Sequence, residues 1–137
     1  MIKIFAAFGI FILAVSCMNP QKLLSDPSND RIYFGRSGGF TNIPLEYVLF
    51  EKGQLFKVEK DNLIKVHKIS TKQIEILDSL FAKADFEKLE LNNPGNVTYH
   101  IKRMKSGSER EVKWSDSSEN EQVRELYNAL MQLTKKE

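Results

Sequence analysis

Gly35-Arg36-Ser37-Gly38-Gly39 has the outline of a catalytic motif. It fits G-x-S-x-G, the nucleophile elbow of serine hydrolases, where a sharp turn from a strand into a helix lifts the serine hydroxyl toward a substrate carbonyl. The residues that follow, Phe40-Thr41-Asn42-Ile43-Pro44, are a poor helix start and lead into a β-rich run. Hydrolase chemistry at Ser37 is therefore the weaker reading, and a Gly-rich connection between strands is the plainer one. Such a connection can also turn its N–H groups toward an anion, with Arg36 adding charge. Gly35, Arg36, Ser37, Gly38, Gly39 and Phe40 are accordingly taken together as the candidate binding loop.

Other side chains offer less. His67 and His100 are the two histidines, and a zinc site needs three or four ligands at a recognisable spacing. Neither histidine has such company, so no metal and no cofactor is expected. Asp85, Glu87 and Glu90, like Asp116, Glu119 and Glu121, lie near the ends of expected helices, where acids serve capping and solubility. No catalytic residue is assigned among them. Trp114, the sole tryptophan, closes an expected strand and reads as a core residue rather than a sugar-stacking platform. Asn96-Val97-Thr98 fits the N-glycosylation triplet, and no modification is expected there.

The amino terminus is more specific. Met1-Ile2-Lys3 is followed by an apolar run from Ile4 to Val15, then Ser16 and the single cysteine, Cys17. A positive start, an apolar core and small residues at the cut describe a secretory signal, and the run is shorter than the roughly 20 residues a spanning helix needs. Ala14-Val15-Ser16-Cys17 resembles the lipobox of bacterial lipoproteins. The resemblance implies diacylglycerol on the Cys17 thiol, cleavage before it and acyl chains that hold the protein to a membrane. Met18 lacks the aspartate that some bacteria read as an inner-membrane signal, so an outer-membrane address in the cell envelope is favoured.

The elements that must carry these residues follow from composition and pattern. The chain has 137 residues, of which 42% are hydrophobic and 28% charged, enough for one core without disulfides. Its net charge of +2 lacks the basic excess of a nucleic-acid binder. Residues 1–16 read as signal peptide, 17–30 as a flexible polar tether and 31–137 as one domain. Arg31–Phe34, Leu45–Glu51, Gln54–Glu59 and Asn62–Ile69 have strand character. Ser70 and Gln73 suit a capping box for a helix with Ile74, Leu77, Leu80, Phe81 and Ala84 on one stripe. Asn92-Asn93-Pro94-Gly95 suits a type II turn. Val97–Lys105 and Ser108–Trp114 suit a hairpin, before a last helix starting near Ser118 with Val123, Leu126, Tyr127, Leu130 and Leu133 buried.

The expected fold is α+β, an antiparallel sheet of about five strands with two helices packed on one face. The other face, carrying Lys57, Lys65, His67, His100, Lys102, Glu111 and Lys113, is expected to be solvated. Tyr33-Phe34-Gly35 through Gly38-Gly39-Phe40-Thr41, with Tyr47, Leu49, Gly53 and Trp114, resembles a group of small uncharacterised bacterial envelope lipoproteins. In that group a glycine often stands where this chain has Asn42. The resemblance implies no known activity. The leading expectation is a non-enzymatic envelope lipoprotein that binds a protein or other envelope component. Alternatives are a small envelope hydrolase using the Gly35–Gly39 segment, or an inhibitor that presents Arg36 and Phe40 to an envelope enzyme.

Overall fold

The structure is a computed structural model that describes residues 19–118 and 120–136. Cys17, the apolar run before it and Glu119 lie outside the described residues. The fold is α+β, and the described residues form one six-stranded antiparallel sheet and three α-helices. In chain order they are α1 (Pro20–Ser25), β1 (Arg31–Gly38), β2 (Leu45–Phe50), β3 (Gln54–Glu59), β4 (Asn62–Lys68), α2 (Thr71–Lys83), β5 (Val97–Lys105), β6 (Ser108–Trp114) and α3 (Glu121–Leu133). Across the sheet the order is β4-β3-β2-β1-β5-β6. The first four strands are a meander, and the β5–β6 hairpin returns after α2 to pair with the free side of β1. The sheet has six strands where about five were expected, and the short run expected at Arg31–Phe34 is longer than it reads. It begins a central strand that runs on to Gly38.

Local chemistry sets the helix boundaries. At α2 the Ser70 hydroxyl accepts from the Gln73 N–H at 3.2 Å, and the Gln73 side chain accepts from the Ser70 N–H at 3.1 Å. This is the predicted capping box. At α3 the cap is Asn120, whose Oδ1 accepts from the Val123 N–H at 3.0 Å, and not Ser118. Ser118 is buried instead, with its hydroxyl accepting from the Asn93 amide at 2.8 Å. The expected type II turn at Pro94-Gly95 is also absent, since Gly95 does not take a positive φ. The segment runs beside β6, with the Asn93 N–H donating to the Lys113 carbonyl and the Lys113 N–H to the Leu91 carbonyl.

The main core joins Phe34, Leu49, Leu55, Ile101, Val112 and Trp114 of the sheet to Leu77 and Phe81 of α2 and Val123, Leu126, Tyr127 and Leu130 of α3. Each such buried side chain is worth about 1.5–3 kcal/mol relative to exposure. A second cluster, Val48, Phe50 and Phe56 flanked by Tyr33, Val58 and Leu63, is built from the intervening residues of the strands and so lies on the opposite face. Leu23 and Leu24 of α1 pack against it.

This departs from two expectations. Residues 20–25, read as belonging to a flexible tether, are helical because two leucines find an apolar patch that is not apparent without the pairing. The sheet's second face is therefore covered on its β1–β4 side and open only toward β5 and β6. Its expected residues also split. Lys57 stands opposite Tyr47, and His67 opposite Leu55, both on the helix side. Along β4 the cause is a bulge at Leu55/Phe56, which shifts the alternation.

Arg31 fastens α1. Its guanidinium donates to the Leu23 and Leu24 carbonyls at 3.2 and 3.1 Å, at the helix end where carbonyls lack partners. Gln21 donates to the Asp61 carbonyl at 3.1 Å, which fixes the start of α1 beside the β3–β4 turn. Replacing Leu23 and Leu24 together by serine is expected to cost about 1–3 kcal/mol. Urea titration should show the lower midpoint, and limited proteolysis should cut before Arg31 while the sheet core stays protected.

Candidate functional site

The glycine-rich segment is strand rather than loop as far as Gly38. Gly35 stands between Glu46 of β2 and His100 of β5, and Ser37 stands opposite Thr98. In a strand successive N–H groups point to opposite sides, so they do not converge on one anion as a nest requires. Gly39 donates to the Asn96 carbonyl at 2.8 Å. The anion-binding reading of this segment therefore lacks its geometry.

The segment's composition has another cause. A Cβ on Gly35 would collide with the Leu45 carbonyl oxygen and lie 2.9 Å from the Glu46 Cα. Only glycine permits β2 to pass this close. With no side chain between them, Glu46 and His100 reach across β1, Oε1 to Nε2 at 3.2 Å. The His100 side chain keeps 15% of its exposure and that of Glu46 37%, so the pair is shielded but open to a ligand.

Ser37, Thr98, Glu111 and Lys113, with Asn92 and Pro94 from the segment beside β6, complete an open groove of about 450 Å³ around this pair. Lys113 lies 3.7 Å from Glu111. The groove thus offers hydroxyl, imidazole, carboxylate and ammonium groups over the sheet, a surface suited to hydrogen-bonded recognition of a polar chain. A histidine braced by a carboxylate beside a serine also holds the components of a nucleophilic triad. Ser37 sits within a strand instead of at an elbow, however, and among the described residues no hydrogen bond joins it to His100.

The six residues of the candidate loop are thereby divided. Gly35 and Ser37 build the groove. Arg36 stands opposite Tyr99 and Leu45, on the helix side. Gly38 ends β1, while Gly39 and Phe40 begin the connection to β2, where Phe40 is fully exposed.

Near Arg36, the rings of Tyr99, Trp114 and Tyr127 form a mutually packed corner. Tyr99 and Trp114 are stacked at 5.8 Å, and Tyr127 meets both edge-on at 5.4 and 5.3 Å. Trp114 is 5% exposed and serves the core. Hydrogen bonding to the Asp116 carboxylate and burial both push the Tyr99 phenol upward. Burial pushes Tyr127 up to about 12, against the opposing charge of Arg36. Elsewhere, Arg103 is held by Asp78 and Glu87 at 3.1 and 3.2 Å and covers the Phe81 ring, so its cleft is satisfied internally. Among the described residues no group of three or more His, Cys, Asp or Glu side chains is arranged for a metal ion.

The His100–Glu46 pair is the feature of the site that sequence reasoning missed. Alternation along β5 puts His100 on the polar face, but its partner depends on the β1–β2 and β1–β5 registers.

Two outcomes follow from this geometry. Gly35→Ala should destabilise the fold by about 1–3 kcal/mol, seen as a lowered melting temperature, because β2 must move. Tyr127 ionises near its ordinary 10.0 when unfolded and near 12 when folded. Its contribution is thus intact below pH 10 and lost as pH rises toward 12. Tyr127→Phe should flatten that decline in urea stability and remove the latest-titrating phenol from the tyrosinate absorbance curve.

Comparison with known proteins adds no relative from which a role could be carried over: no protein-family model matches this chain, and a search of curated proteins finds no match.

Proposed function

We propose that this chain is a lipid-anchored envelope protein, at the outer membrane, whose domain binds an envelope protein without chemical turnover. Ala14-Val15-Ser16-Cys17, following an apolar run, is the observation that carries the reading. A lone cysteine at that spot supplies the one nucleophilic sulfur that lipid attachment requires. The groove above Gly35 is the binding surface this reading favours. It mixes both signs of charge and lies on the region of the sheet that α1 leaves open.

Cys17→Ser tests the anchor. The parent should take up a clickable palmitate analogue and pellet with membranes, whereas the variant should remain an unlabelled, longer precursor. Equal labelling of both would overturn the anchor. For the binding surface, a photo-crosslinker at Thr98 should capture one reproducible envelope protein in cells. Replacing Glu46 and His100 together by alanine should abolish that capture while leaving the melting temperature within a few degrees.

A second reading, a hydrolase, is favoured by one observation: Ser37 shares its groove with the braced His100. Turnover of simple esters by the purified full chain, lost in Ser37→Ala with folding intact, would establish it. Turnover indifferent to that change would remove it.

A further inference from the structure

The two ends of the sheet differ sharply. One end carries the 39–44 connection between β1 and β2 and the Lys60-Asp61 turn between β3 and β4. The other carries the Ser106-Gly107 turn between β5 and β6.

In the 39–44 connection the Asn42 N–H donates to the Gly39 carbonyl at 3.3 Å, making a tight turn with Phe40 at its corner. Asn42 holds a φ of 49°, a left-handed conformation that asparagine tolerates. Pro44 then restricts Ile43 to an extended form. Phe40 is fully exposed and Ile43 is 72% exposed. Two large apolar side chains are thus displayed on a shaped tip, and neither is buried in the domain's core.

The start of α1 lies at this same end. Gln21 bonds the Asp61 carbonyl in the β3–β4 turn. That turn is about 10 Å from the β1–β2 connection, two strand spacings across the sheet. Cys17 precedes Asn19 by two residues, a chain reach of at most about 7 Å. An anchor on Cys17 therefore pins this end of the domain, and no other, within a short reach of the bilayer.

From this juxtaposition we propose that residues 39–44 form a membrane-contact tip, which seats Phe40 and Ile43 in the bilayer interface beside the anchor. The inference rests on the lipid-anchor reading of Cys17. The occupant is the lipid surface and not a protein, because the anchor sets the tip against lipid before any partner arrives. Charges at this end are mixed: Arg36 on β1 and Lys60 in the β3–β4 turn are cationic, while Glu59 and Asp61 are acidic. Contact is thus by apolar insertion, about 5–10 Å deep, and does not need anionic lipid. Together, tip and anchor give the domain two points of attachment and hold the sheet upright on the membrane.

The test uses the full lipidated chain reconstituted in phosphatidylcholine vesicles. With Cys17 acylated, a cysteine introduced as Thr41→Cys is the one free thiol, and it takes an environment-sensitive fluorophore. Lys105→Cys, at the opposite end of the sheet, is the control. Nitroxide groups high on the lipid chains should quench position 41 by about twofold or more, as for a group in the interface, and leave position 105 unchanged. Adding Phe40→Ser and Ile43→Ser should abolish the quenching while the acyl mass on Cys17 remains. Acylated protein in which positions 41 and 105 behave alike would overturn the tip and leave the anchor standing. Protein without acyl mass on Cys17 would overturn the anchor and the tip with it.

Discussion

Pairing of β1 with β5 holds this fold together. It runs the whole length of β1, from Arg31 opposite Met104 to Gly38 opposite Val97, and joins segments far apart in the chain. Without it the sheet would divide into a four-stranded meander and a separate hairpin, each with an apolar face that it could not bury alone. Closing so long a loop costs entropy that only the combined core can offset. Phe34 and Ile101 supply adjacent members of that core, under α2 and α3. The same pairing brings His100 level with Gly35, so the groove exists only in the assembled sheet.

Gly35 meets two demands at one position. Its missing side chain lets the β2 backbone close in, and it opens the gap that Glu46 and His100 bridge. Glycine within a strand ordinarily weakens it, and here the loss is compensated by ladders on both sides of β1. Stability and the polar groove consequently draw on a single residue. Arg31, at the start of the same strand, has a comparable double role: it pairs within the sheet while satisfying the last carbonyls of α1.

What could be read from the sequence was what is local. The Ser70–Gln73 capping box, the stripe of α2 and the β5–β6 hairpin depend on neighbours a few residues apart, and each is present as patterned. The α3 start was displaced because Ser118 and Asn120 are both good caps, and burial of the Ser118 hydroxyl against Asn93 decides between them. Leu23 and Leu24 were unreadable for a different reason. Two leucines in a polar stretch gain meaning only beside Val48, Phe50 and Phe56; alternation puts the first two on one face, but Phe56 joins them only through the β2–β3 pairing. Gly35 to Gly38 looked like a loop because glycine has low strand propensity; the close passage of β2 that requires it is a tertiary fact. The site suffered most, since Glu46, Ser37 and His100 are brought together only by the pairings on the two sides of β1.

The bulge at Leu55/Phe56 has a meaning beyond the alternation it disturbs. β4 is one border of the sheet, and its N–H and C=O groups face outward along that border. A second copy docking there would need a flat, evenly spaced ladder to continue. The irregular step bends the border, and Lys65 and Lys68 add like charges that meet their own kind in any side-by-side copy. A bent, positively charged border of this kind is a poor template for edge-to-edge pairing with a second copy.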